Sequence, residues 1–182
     1  MTEADFEQLV DRQYGPLYRF ALSLSKSEAD AADLTQQTFF LWASKGDQLR
    51  DRSKAKSWLF TTLYREFLGR LRHEGRFPKI ELDDVREEEV SISPNVNAFD
   101  STTVLQALHA VEEPFRVPLT LFYLEQFSYQ EIADVMGVPI GTVMSRLSRG
   151  KAQLRERLFS KEEVLGNKVI ALQSDRREES HG

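Results

Sequence analysis

The sequence predicts an all-α chain built as two small helical domains joined by an acidic linker, the C-terminal one a helix-turn-helix. Three observations predict it. Apolar residues recur at steps of three and four through most of residues 3–74 and 101–157. Residues 76–100, RFPKIELDDVREEEVSISPNVNAFD, lack that period and contain Pro78, Pro94, a DD and an EEE. Helix start and stop signals are concentrated in residues 128–139. The expected boundaries are a first domain over 1–75, an extended linker over 76–100, a second domain over 101–160 and a tail over 161–182.

In the first helix, residues 3–25, Phe6, Leu9, Val10, Leu17, Phe20, Ala21 and Leu24 form one stripe. Gly15-Pro16 interrupts the pattern, so a kink or short break is expected there. Ser27, with Asp30 three residues on, starts a second helix running to about Ser44, and Lys45-Gly46-Asp47 reads as a turn. Leu49–Lys56 is a polar, basic connection. A third helix from near Ser57 to Glu74 carries Trp58, Leu59, Leu63, Phe67 and Leu71 on its apolar side. Past the linker, Val104, Leu105, Leu108 and Val111 share a face. Glu112-Glu113-Pro114 marks a turn and a new helix start, and Pro118 must remove one helical hydrogen bond or confine that helix to its later part. A short helix around Lys168–Gln173 is expected in the tail.

Residues 128–157, SYQEIADVMGVPIGTVMSRLSRGKAQLRER, carry the densest information. Ser128 and Glu131 make a capping box. Ile132, Ala133, Val135 and Met136 give a short helix its apolar side. Gly137 ends that helix in a left-handed conformation, and Pro139 presets the start of the next. Val143, Leu147 and Leu154 are the buried stripe of that second helix. Between Pro139 and Arg157 there are five basic residues and one acid. Such a helix presents N-terminal residues to base edges in a DNA major groove and basic residues to phosphates.

The net charge of −5 is unusual for a DNA-binding chain until it is divided by segment. Residues 76–100 hold 3 basic and 7 acidic side chains, whereas Lys45–Arg72 holds 8 and 3. Two local basic patches thus lie on a globally acidic chain, and DNA binding by the isolated chain is expected to be weak, because phosphate neutralisation supplies most non-specific affinity. The absence of cysteine excludes disulfides and thiolate metal sites. The three histidines are scattered, and there is no paired-carboxylate, Cys/His or phosphate-loop constellation, so neither an enzyme nor a cofactor or metal is expected. No apolar run approaches the roughly 18 residues of a membrane span. The acidic, amphipathic N-terminus is unlike a signal peptide. A cytoplasmic chain without membrane insertion is expected.

These features together resemble the small extracytoplasmic-function (ECF, group IV) class of bacterial sigma factors in the sigma-70 family, over roughly residues 5–160. DLTQQTF, Asp33–Phe39, is similar to the family's core-polymerase-binding helix, D-L-x-Q-E-x-F; Gln37 stands where Glu is usual. The resemblance implies that Asp33, Leu34, Gln36, Gln37 and Phe39 bind core polymerase. SWLFTTLYREFLGRLR, Ser57–Arg72, resembles the segment that melts and reads the −10 promoter element. Trp58, Leu59 and Arg72 match the pattern; Thr62, Leu63, Arg65 and Gly69 depart from it. The resemblance places the −10 contacts on Leu49, Arg50, Arg52, Lys54, Lys56, Trp58, Arg65 and Arg72, with a core role for Trp58 weighed against base contact. IGTVMSRLSRGKAQLRERL resembles the −35-reading helix, P-x-G-T-V-K-S-R-L-x-R-A. Met144 stands where Lys or Arg is usual. The implied −35 residues are Thr142, Ser145, Arg146, Ser148, Arg149 and Lys151.

The resemblance further implies core RNA polymerase, promoter DNA and an anti-sigma factor as partners. Residues 76–100 would run through the polymerase's RNA-exit path. The competing reading is a conventional helix-turn-helix regulator acting without replacing sigma, which would bind a palindromic operator tightly by itself. The low net basic charge argues for the sigma reading.

Overall fold

The computed structural model describes residues 2–75 and 101–158, and no strand occurs among them. The expected linker 76–100 and the expected helix near Lys168–Gln173 lie outside the described residues. The first group of helices is α1 (Glu3–Ser25), α2 (Glu28–Lys45) and α3 (Ala55–His73), with 3₁₀ turns at Gly46–Gln48 and Arg52–Lys54 between the last two. The second group is α4 (Ser101–Ala110), α5 (Glu113–Tyr123), α6 (Tyr129–Met136) and a helix over residues 140–158, here α7.

α1 starts at a capping box that sequence reading overlooked. The Asp5 N–H donates to Thr2 Oγ1 at 3.2 Å, and the Thr2 N–H returns a bond to Asp5 Oδ2 at 3.0 Å. Of the kink or short break expected at Gly15-Pro16, the break does not occur, for α1 is continuous through both residues. Pro16 removes one hydrogen bond, but Leu17, Phe20, Ala21 and Leu24 lock the following turns into the core. α1 ends on Lys26 at φ +56°, whose N–H reaches Leu22 O.

Ser27 caps α2 by accepting from the Asp30 N–H. Thr35 and Thr38 are buried on this helix, and each hydroxyl donates to the carbonyl four residues back, Ala31 O at 2.8 Å and Leu34 O at 2.7 Å. Gly46 is required by space: a Cβ there would come within 2.8 Å of the Trp42 ring. Leu17, Phe20, Leu34, Trp42, Leu59, Phe60 and Leu63 are all fully enclosed in the core of these helices. Burial of each such side chain is worth about 1.5–3 kcal/mol.

In the second group Leu108, Val111, Val117, Leu119, Leu121, Ile132, Val143, Leu147 and Leu154 are buried. α5 continues through Pro118. α7 crosses α5 closely at Gly150, where an added Cβ would lie 2.9 Å from Leu119 Cδ1 and 3.2 Å from Phe115 Cβ.

The two groups also pack on each other, α3 against α6 and α1 against α5. Arg116 of α5 is only 3% exposed. Its Nε donates to Ser23 O of α1 at 2.6 Å, and its Nη1 to Val111 O at 2.8 Å. Glu125, also 3% exposed, pairs with Arg19 of α1 at 3.2 Å. The Glu125 carbonyl accepts from Lys56 Nζ of α3 at 2.6 Å. Phe60 and Phe127 meet with ring centroids 5.0 Å apart, and Lys56 Nζ lies 4.7 Å from the Phe127 centroid.

Candidate nucleic-acid and protein interfaces

The α6–α7 unit is assembled as the chain dictates. The Ser128 N–H donates to Glu131 Oε2 at 2.8 Å, and the Glu131 N–H to Ser128 Oγ at 3.3 Å. The backbone and hydroxyl donors of Ser128 hold the Glu131 carboxyl below its ordinary range. Gly137 takes φ +66° and ψ 36°, and its N–H reaches Ala133 O. A Cβ at Gly137 would meet no atom within 4 Å, so glycine serves the left-handed backbone there rather than close packing. The Pro139 carbonyl then accepts from the Thr142 and Val143 N–H groups at 3.0 and 3.3 Å, which winds the first turn of α7.

Val143, Leu147 and Leu154 anchor α7, as their spacing predicts. Arg149 is exposed on the opposite side; Thr142, Ser145 and Ser148 are half-buried. The Ser145 hydroxyl donates to Thr142 O at 3.1 Å. Lys151 rests its ammonium 5.5 Å from the Phe122 ring centroid. Arg146 is half-buried. Burial lowers the pKa of its guanidinium, and Tyr64 of α3 is the opposing influence. The same burial raises the Tyr64 phenol, with Arg146 acting against it.

Around α3, Arg50, Lys54, Arg65 and Arg72 are exposed. Arg65 and Arg72 are seven residues apart and share one helix face. Arg52 donates to Asp47 Oδ1 at 2.9 Å and lies 5.9 Å from the Trp42 ring centroid. Leu49 and Trp58 are half-buried and pack on the core, Trp58 edge-on to Trp42 at 5.1 Å. Trp58 is therefore chiefly a packing residue. Lys56 is committed to Glu125 and Phe127 in the second group of helices.

On α2 the expected polymerase-binding residues divide between the core and the surface. Leu34 and Phe39, expected to bind core polymerase, are 1% and 7% exposed and belong to the chain's own core. Helical geometry explains it: Asp33, Gln36, Gln37 and Phe40 recur at i, i+3, i+4 and i+7 and form the outward stripe, which Leu34 and Phe39 flank on the inner side. These four, with Arg70 of α3, line an open recess of about 370 Å³. Phe40 is 66% exposed. Its partial exposure is legible in the sequence from the helical period, although the sequence motif does not place it among the polymerase-binding residues.

Both helical groups match models of one family. Residues 9–77 match sigma-70 region 2, and residues 102–154 match sigma-70 region 4. The chain belongs to the sigma-70 family, in its ECF sigma factor class. It is 30% identical over 151 residues to the ECF RNA polymerase sigma factor SigL of Mycobacterium tuberculosis, covering 81% of this chain and 85% of SigL. It is also 30% identical over 162 residues to the ECF sigma factor SigE of Mycolicibacterium smegmatis, covering 84% of this chain but only 61% of SigE's length. Among solved structures it is similar to the sigma factor RpoE of Bartonella quintana, solved in complex with the anti-sigma factor NepR. The TM-score is 0.66 at 31% identity, covering 85% of this chain and 96% of RpoE. No helix of the described residues is long and apolar enough to cross a membrane.

Proposed function

We propose that the chain is a promoter-specificity subunit that binds core RNA polymerase and directs it to a restricted set of promoters in the cytoplasm. The observation that carries this reading is a pairing of two surfaces in one chain. One is a capped helix-turn-helix with a basic second helix; the other is an outward polar stripe on α2 that ends in an exposed Phe40. A conventional regulator has use for the first surface alone.

In this reading Asp33, Gln36, Gln37 and Phe40 dock on core polymerase. Arg50, Arg52, Lys54, Lys56, Arg65 and Arg72 serve the −10 element, and Leu49 and Trp58 support that segment from within. Thr142, Ser145, Arg146, Ser148, Arg149 and Lys151 serve the −35 element. Capture of an unstacked base costs a few kcal/mol, which pocket and backbone contacts offset. The chain catalyses no covalent step. The first domain spans 1–75, the linker 76–100, the second domain 101–160 and the tail 161–182. An anti-sigma protein is the regulatory partner, as NepR is in the RpoE complex. Run-off transcription with purified components tests the reading. Core polymerase with this chain should transcribe selected genomic fragments that neither transcribes alone; no transcript from any fragment refutes it.

A further inference from the structure

α7 opens without a cation. Ile140, Gly141, Thr142, Val143, Met144 and Ser145 all precede Arg146. Val143 is buried, and the large side chains that this stretch turns outward are Ile140 and Met144, at 44% and 47% exposure. They are four residues apart, so they sit one above the other on successive turns of a single face. Among the described residues neither belongs to the hydrophobic core nor to the partly buried apolar residues packed on it. The pair is therefore an apolar spot at the leading end of a helix whose later turns carry Arg149, Lys151, Arg155 and Arg157.

That distribution fits a particular kind of ligand surface. Cations toward the end of the helix suit phosphates, whereas residues at its start meet base edges in the major groove. A base edge there offers donors, acceptors and one apolar group, the thymine 5-methyl. An isoleucine and a methionine can neither donate to guanine O6 and N7 nor accept from cytosine N4. They can enclose a methyl group, and methionine's unbranched thioether adapts to the shape of the site.

We propose that Ile140 and Met144 are specificity-determining residues of α7, seated against the 5-methyl group of at least one thymine in the −35 element. This rests on the reading of α7 as the −35 helix. The chain then selects T·A pairs at the position beneath Met144, and it does so through shape and apolar contact rather than a bidentate hydrogen bond.

Replacing thymine with deoxyuridine tests the proposal directly, because it deletes the methyl and leaves every hydrogen-bonding group in place. Promoters are first recovered from the source genome by run-off transcription with holoenzyme made from core polymerase and the full chain. Each −35 thymine is then replaced singly by deoxyuridine. At one or two positions open-complex formation should fall about fourfold, the value of one buried methyl-sized group. Holoenzyme carrying Met144→Ala or Ile140→Ala should lose the distinction between thymine and deoxyuridine at such a position, and Met144→Leu should retain it. Both side chains are exposed, so these variants leave the core intact, which thermal melting checks. Dependence on the −35 sequence with no deoxyuridine-sensitive thymine overturns the proposal alone. So does a sensitivity that survives in both alanine variants. If no promoter is recovered, or promoters are indifferent to −35 sequence, the reading of α7 falls and the proposal with it.

Discussion

Arg116 offers the sharpest test of how the two helical groups hold together. The guanidinium is 3% exposed and makes two bonds, to Ser23 O in α1 and to Val111 O at the end of α4. Arg116→Ala strips both carbonyls of their donor in a place water does not reach. An unsatisfied buried polar group costs roughly 1–3 kcal/mol, so the two together set a loss of about 2–6 kcal/mol. Relief from burying a charge offsets part of this, since desolvation of an ion costs several kcal/mol. Burial is indeed the larger influence on Arg116, with Glu113 as its compensating neighbour. The expected net loss is about 3 kcal/mol for Arg116→Ala. For Arg116→Met, which keeps most of the volume, it is about 1 kcal/mol. Urea denaturation followed by circular dichroism measures both losses, and small-angle X-ray scattering reports whether α5 has parted from α1. The alanine variant should keep its helix content below the transition and show a larger radius of gyration. A variant within 0.5 kcal/mol of the parent, with an unchanged scattering profile, would refute the argument.

Four further outcomes follow from the same geometry. Glu125 has its carboxyl pushed up by burial, against the pull of Arg19 on α1 and Lys56 on α3. The folded state thus holds the Glu125 proton more tightly than the unfolded chain does. Its stability contribution is greatest below the ordinary glutamate range and declines as pH rises through the raised value. Glu125→Gln should therefore gain on the parent as pH rises above the ordinary glutamate range in parallel denaturation curves, and a loss there contradicts the sign. Gly150→Val places methyl groups where Leu119 and Phe115 already leave too little room for a Cβ; overpacking of this kind costs about 1–3 kcal/mol, read as a lower Tm. Thr120 is fully buried and its hydroxyl has no hydrogen-bond partner among the described residues. Thr120→Val should thus raise the Tm by removing that group while keeping its shape. Phe40→Ser should weaken capture by immobilised core polymerase at least tenfold and leave the melting curve unchanged, because Phe40 lies outside the core.

Local signals were legible in the sequence wherever a side chain reports on its own backbone. Ser128 with Glu131, Gly137 and Pro139 specify the corner between α6 and α7 through bonds that reach no further than four residues. The stripe Val143, Leu147 and Leu154 needs only helical periodicity. Thr2 with Asp5 was legible by the same rule and was overlooked. Sequence reading failed where tertiary packing overrides local preference. Gly15-Pro16 reads as a kink or a short break, and the break is absent because a single lost hydrogen bond is outweighed by the buried turns that follow it. On α2 the motif letters favoured Leu34 and Phe39, whereas the helical period puts Phe40 outward and its neighbour Phe39 inward. Nothing local announces Arg116 or Glu125 as buried, since their partners Ser23 and Arg19 are 93 and 106 residues away.

That long-range contact bears on how the candidate DNA-binding residues can be used. Lys56 and Arg146 come from different helical groups, and each is engaged at the same junction. Lys56 donates to Glu125 O, and Arg146 is half-buried near Tyr64. Both side chains are half-buried while α3 lies against α6. The junction is also more polar than either core: it contains Arg19, Lys56, Arg116 and Glu125 beside the Phe60–Phe127 pair. Polar contacts of this sort typify interfaces within a chain that can part, because water and counter-charges restore much of what separation removes. Phosphates compete for the same cations with the added drive of counterion release. Separation of the two groups would free Lys56 from Glu125 O, and the step would also break the buried bonds of Arg116 and Glu125, which have no place in the DNA-binding set.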